Sequence, residues 1–252
     1  MKKTILVAAI LLFTFAATAQ TALNKYYGHW LLQSYAQNLL KTKSAYIAQS
    51  RAAEVTEFIF AQALGDSVMV CFNNIEGGRF PVSVYPNHIE FRTFETGPIY
   101  RVELNTQNTE PKVIFTAPDG SKEAYMYFEG QELVFDAVQR WVNSHVLSDR
   151  YAQEIDNGAR MRGLGVDVAF NSDGVLKGVP GFDSYEVVTR FDEVLNFDVI
   201  KLINSNTGHE ELKAWQIRKN KLYIYNLEEN TEDYGYKKGK LFLKLDKQRI
   251  GS

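Results

Sequence analysis

Hydrophobic positions follow two rhythms along this chain. From Leu31 the apolar residues Leu31, Leu32, Tyr35, Ala36, Leu39 and Leu40 recur in pairs four apart, with Gln33, Ser34, Gln37, Asn38 and Lys41 between them. That spacing makes one face of an amphipathic helix. Asn24 is a candidate cap, and lysines near the far end suit the negative pole of the helix dipole. This reading puts Trp30 in the first helical turn, packed on a core. In "QELVFDAVQRWVNSHVL", Val134, Val138, Trp141, Val142 and Val146 form a second stripe, while Glu132, Asp136, Gln139, Arg140 and Asn143 point elsewhere. A second helix over 131–147, with Trp141 on its core side, divides the chain almost in half.

The remaining apolar residues alternate in short runs rich in β-branched and aromatic side chains, which predicts strands. The first half offers "TEFIFAQ", "SVMVCFN", "FPVSVYP", "HIEFRTF", "IYRVEL", "KVIFTA" and "EAYMYF". The second offers "VDVAFN", "VLKGV", "SYEVVTR", "FDVIKLI", "LKAWQIR", "KLYIYNL" and "KLFLKL". Gly65-Asp66, Pro118-Asp119-Gly120, Asp173-Gly174 and Lys219-Asn220 supply turns between them, the last two of the kind that needs positive φ. Strands at this even spacing predict a mainly β, antiparallel fold, a barrel or sandwich carrying an N-terminal and a central helix. The two halves share a rhythm but few residues, so two tandem β halves and a single larger barrel closed by both stand as alternatives.

The ends of the chain refine this picture. "MKKTILVAAILLFTFAATAQ" has a basic start, an apolar stretch from Ile5 to Ala16 that is short for a membrane span, and an Ala17-Thr18-Ala19 cleavage site. It is expected to be a signal peptide over 1–19, so the mature protein is exported, periplasmic or secreted, with no transmembrane segment. The domains expected are then an N-terminal helix with a β half over 20–130, the connecting helix, and a β half over 148–252. Losing Lys2 and Lys3 moves the formal charge from −2 to −4, which argues against a nucleic-acid partner because phosphate binding needs concentrated positive charge. Cys71 is the sole cysteine. It excludes an internal disulfide and is expected to act as a small buried hydrophobe.

Two stretches carry a resemblance. Gly28-His29-Trp30 has the glycine-any-tryptophan form that opens the first strand of a lipocalin barrel, although the helical spacing after it points away from that reading. Residues 148–245 resemble the lipocalin-like β-barrel domains of exported bacterial proteins. There a loop leads into F-x-x-D-G-x-x-x-G, here Phe170, Asp173, Gly174 and Gly178, then a Y-x-V strand at Tyr185 and Val187, then an Asp-led strand at Asp198. The resemblance implies a β-barrel that can hold one small ligand.

Candidate chemistry is sparse. "GDSV" at Gly65–Val68 is similar to the nucleophile block of GDSL-type esterases and makes Ser67 a candidate nucleophile. That family's Asp-x-x-His is absent, however, since Tyr26, Tyr85, Val142 and Asn206 stand three before the four histidines; a turn is the preferred reading. No zinc or phosphate-loop signature occurs, Asn171–Gly174 reads as a hairpin and not a calcium loop, and no cofactor is expected. In "NNIEGGR", Asn73, Glu76 and Arg79 end an apolar strand around a glycine pair and could line a barrel mouth, facing Lys43 if the first helix plugs it. The expectation is a non-enzymatic protein binding a small, mostly apolar ligand through Trp30, Tyr35, Asn73, Glu76, Arg79 and Trp215. A structural or protein-interaction module of the cell envelope is the alternative, and an esterase acting through Ser67 the second.

Overall fold

The computed structural model describes residues 23–53, 55–72, 76–106, 110–129, 137–153, 167–189, 195–230 and 235–248; the expected signal peptide lies outside them. The chain divides into two compact units. One takes in the chain to Tyr35 and Ala52–Phe135, the other Ala36–Arg51 and Asp136 onward.

The first unit is a closed, eight-stranded, antiparallel barrel in simple meander order. Its strands are β1 (Gly28–Leu32), β2 (Val55–Phe60), β3 (Ser67–Phe72), β4 (Glu76–Val84), β5 (Ile89–Arg92), β6 (Ile99–Asn105), β7 (Lys112–Thr116) and β8 (Lys122–Glu129). β1 closes the ring by pairing with both β2 and β8. Here the periodicity misleads. Trp30 does not sit in a helical turn but in β1, opposite Phe58 and Tyr127, and the helix α1 (Gln33–Thr42) begins only after Leu32. All five residues of β1 are buried. With both faces of the strand covered, the alternation that marks a half-exposed strand disappears.

The glycine-any-tryptophan stretch thus opens the first strand. Gly28 has φ +137°, and a Cβ there would stand 2.2 Å from the Tyr127 ring. That ring packs edge-on against Trp30 at 5.4 Å, and the indole Nε1 donates to the Tyr26 carbonyl at 2.7 Å. Glycine clears the space and tryptophan fills it.

Rings also pack across the interior. Phe58 lies 4.7 Å from Tyr125 and 5.3 Å from Phe115, and Tyr100 stacks on Phe91 at 5.3 Å and on Phe115 at 5.6 Å. Cross-strand pairs put Val102 beside Ile89 and Phe115, and Val113 beside Tyr125, on the same face. Burying each such side chain is worth about 1.5–3 kcal/mol. The Tyr125 hydroxyl is not stranded, since it donates to the Val55 carbonyl at 2.7 Å.

The second unit repeats the meander. Its strands are β9 (Asp149–Gln153), β10 (Asp167–Phe170), β11 (Leu176–Lys177), β12 (Ser184–Val187), β13 (Val199–Asn204), β14 (His209–Arg218), β15 (Lys221–Asn230) and β16 (Gly235–Lys247). They form one eight-stranded sheet in the order β11-β10-β9-β16-β15-β14-β13-β12. Its end strands meet through one antiparallel bridge, Val175 to Ser184, flanked by bonds from Leu176 N to Asp183 O and from Tyr185 N to Gly174 O. The expected Asp-Gly hairpin holds. The Asp173 carboxylate accepts from Val175 N at 3.1 Å, and Gly174 and Gly178 take φ +86° and +80°. Phe170 and Tyr185 meet edge-on at 5.0 Å in the core, and the Tyr185 hydroxyl donates to Asn171 O at 2.7 Å.

Helices α2 (Ala45–Ser50) and α3 (Ala137–Val146) belong to this unit. α3 buries Val138, Val142 and Val146 as its stripe predicts. Trp141, expected in the core, is only half-buried and stacks on His145, while Val134 lies outside the described residues. Polar side chains of α3 do the work of a missing strand. Val187 N donates to the Asn143 side-chain oxygen at 3.2 Å, Gln139 Nε2 donates to Val187 O, and the Thr189 hydroxyl donates to Gln139. β11 is too short to reach Val187, and these amides satisfy the backbone it leaves bare. Asp198 is likewise structural. Its carboxylate accepts from Tyr46 N at 2.9 Å at the start of α2, where the Ser44 hydroxyl also caps Ile47 N at 3.0 Å.

Candidate functional site

A concave feature lies where the strands of the first barrel differ in length. β4 has nine residues and β5 four. They pair only over Val82–Val84 and Ile89–Phe91. After Arg92 the chain turns away through a tight bend, in which Gly97 N donates to Phe94 O at 3.0 Å. Phe80 and Pro81 of β4 therefore lose their neighbour on that side. Proline, which has no N–H to offer a partner strand, suits such a place. The notch left behind is an open groove of about 440 Å³, within the usual range for small-ligand sites.

Its lining has two characters. Phe80, Val82 and Phe91 share the inward face, so the floor is continuous with the aromatic interior; the Phe80 and Phe91 rings lie 6.1 Å apart and nearly parallel. Ser83, Glu90, Arg92 and Ile99 lie on the opposite face, and the bend adds Thr93, Phe94 and Glu95. Phe94 is 75% exposed, a large apolar ring held in solvent at the rim. Tyr85 stands at the other side, its ring stacked on His88 at 4.6 Å, and His88 Nε2 lies 3.0 Å from Glu90 Oε1.

None of the residues singled out from sequence lines this groove. Trp30 and Tyr35 are buried in the first unit. Trp215 is fully buried in the second, where its Nε1 meets no hydrogen-bond partner among the described residues. Arg79 is exposed on β4 and donates to the Leu64 carbonyl at 2.7 Å. Asn73 lies outside the described residues, and of Glu76 only the backbone, opposite Phe72, is described. Lys43 has a partner within the second unit. Its ammonium donates to the His145 carbonyl at 2.6 Å, at the C-terminal end of α3, and burial lowers its pKa. Cys71, expected to be buried, is half-buried, because its side of β3 faces outward with Gly77. Ser67 begins β3 opposite Pro81, just after the turn at Gly65.

What sequence reasoning missed is the groove itself. Its signals are a proline in an alternating strand and a short following strand ended by "TFETGP", and these become a site only once register is known. Among the described residues no group of three or more His, Cys, Asp or Glu is placed to hold a metal ion, and no helix is long and apolar enough to cross a membrane. Comparison with known protein families, curated proteins and solved structures returns no match for the chain.

Proposed function

We propose that this is an exported, lipocalin-like binding protein without catalytic activity, which takes the apolar part of a small amphipathic ligand into the β4–β5 notch of its first barrel. The observation that carries the reading is the groove of about 440 Å³ floored by Phe80 and Phe91 and rimmed by charged side chains. The interior behind it is lined with rings in mutual contact, so the ligand docks at the notch and not in the centre. The test is a fluorescence titration with N-phenyl-1-naphthylamine, an uncharged probe that brightens in apolar surroundings. Saturable binding is expected, weakened about tenfold by Ile99→Asp, which places a charge on the apolar wall at a cost of about 1.4 kcal/mol. A probe that never saturates, or binds Ile99→Asp as well as the parent, overturns the reading.

A specific feature favours a second reading, an interaction module of the cell envelope. Leu241 is 50% exposed and Leu212 41% exposed. Cross-strand pairs set Leu241 beside Tyr225, and Tyr225 beside Ala214, on the face of β14 that also carries Leu212. Absence of probe binding, together with a defined complex lost in Leu241→Glu, would favour that role.

A further inference from the structure

Resting on the notch as a ligand site, we propose that its ligand is a cationic amphiphile, an organic ammonium carried on an apolar body, and not an anion such as a fatty acid. Four rings line the groove, Phe80, Tyr85, Phe91 and Phe94, and with them stand two carboxylates, Glu90 and Glu95, and one cation, Arg92. One of that cation's five donors is engaged, because its Nη1 donates to the Gly97 carbonyl inside the bend. The other cations nearby are engaged as well. Arg101, cross-strand from Glu90, holds Glu103 at 2.8 Å, and Lys25 donates to Pro86 O at 3.2 Å.

The carboxylates are the groups left wanting. An ionised carboxylate offers about four acceptor sites. Among the described residues Glu90 receives one partner, His88 at 3.0 Å, with its side chain 25% exposed, and Glu95 has no hydrogen bond or ion pair. Carboxylates thus outnumber cations in the lining, and an ammonium supplies the opposite charge together with three donors. The exposed ring of Phe94 acts in the same sense, since the face of an aromatic ring carries negative potential and attracts a cation. A ligand carboxylate would meet two like charges with one guanidinium to offset them. Selection by repulsion would add to selection by attraction.

The experiment displaces N-phenyl-1-naphthylamine from the full mature chain with three compounds that share one ring system: 1-naphthylmethylammonium, 1-naphthylmethanol and 1-naphthylacetate. The ammonium is expected to bind about tenfold more tightly than the alcohol, a difference of about 1.4 kcal/mol, with the carboxylate weakest. The double variant Glu90→Gln/Glu95→Gln is expected to bring the ammonium to the level of the alcohol, each affinity being taken relative to the probe's own affinity for that variant. If the alcohol or the carboxylate binds as tightly as the ammonium, or none of the three displaces a probe that does bind, the head-group assignment is overturned and the notch remains a site. The same holds if the double variant keeps the preference. If the probe itself fails to bind, the notch reading falls, and this assignment with it.

Discussion

The closed barrel of the first unit and the eight-stranded sheet of the second share a meander but not the way their end strands meet. In the first, every seam is a ladder, down to β1 between β2 and β8. In the second, the seam between β11 and β12 is one bridge, because β11 has two residues. The first unit makes up its interior from rings, whereas the second recruits Gln139 and Asn143 of a helix to finish an edge. A meander thus has two routes to a protected edge: pair it along its length, or cover it with side chains that imitate a strand. The second route is the more fragile, since each amide is a single point at which a buried backbone group can be left unpaired.

The largest difference is expected at glycines of similar conformation. Gly178, leaving β11, and Gly120, between β7 and β8, have φ of +80° and +85°. A Cβ at Gly178 would stand 2.1 Å from the Asp167 carbonyl oxygen, and at Gly120 it meets nothing within 4 Å. Gly120→Ala is therefore expected to cost about 1 kcal/mol, for the left-handed conformation alone. Gly178→Ala forces the backbones of β10 and β11 apart and is expected to cost about 3 kcal/mol. Urea midpoints of the two variants measure this. Equal losses would mean that close approach of β10 and β11 is not what requires glycine.

A smaller effect compares the two ways of satisfying buried groups. Asn143→Ala removes the acceptor of Val187 N and is expected to cost about 1–3 kcal/mol, with faster hydrogen exchange at that amide. Tyr125→Phe in the first barrel removes one bond to the carbonyl of Val55, a residue that stays paired with Phe72 of β3, and is expected to cost about 1 kcal/mol. Exchange at Val187 unchanged by Asn143→Ala would show that the seam does not depend on the helix.

What sequence could show follows the same division. Local chemistry was legible. Asp173-Gly174 announces its hairpin, Gly178 its tight turn, and fourteen of the sixteen strands contain runs visible as alternation. The two strands without such a run are β1 and β9, the first of each unit. β1 is buried on both faces, and its two leucines continue into a helix, so a stripe of period 3.6 and a doubly covered strand look alike over five residues. Trp30 was misplaced for that reason, although the glycine-any-tryptophan signature, read alone, marked a strand. The aromatic richness was visible, but not its use, since whether rings fill a barrel or line a groove depends on pairs far apart in sequence, such as Phe58 with Tyr125. The notch was the least legible part, because it arises from a mismatch in length between β4 and β5.

The smallest effect concerns charge, in the unit that closes its sheet with help from helices. Asp198 is half-buried, and the desolvation raises its pKa above the ordinary 3.8 although the α2 backbone donates to it. The folded state thus holds the proton more tightly than the unfolded one. For a carboxyl shifted in this direction, the stabilisation is complete below about 3.8 and is lost as pH rises through the folded value. Above that window the carboxylate accepts from Tyr46 N but bears the cost of its own desolvation. Asp198→Asn keeps an acceptor for Tyr46 N and has no proton to lose. The stability of the parent relative to Asp198→Asn is therefore expected to fall as pH rises from about 3.8 toward neutrality, then level off, as read from urea midpoints of both proteins across pH 3.5–7. A difference that grew with pH would mean that the helix N-terminus outweighs burial, and that α2 is held by the charge of Asp198 and not merely by its hydrogen bonds.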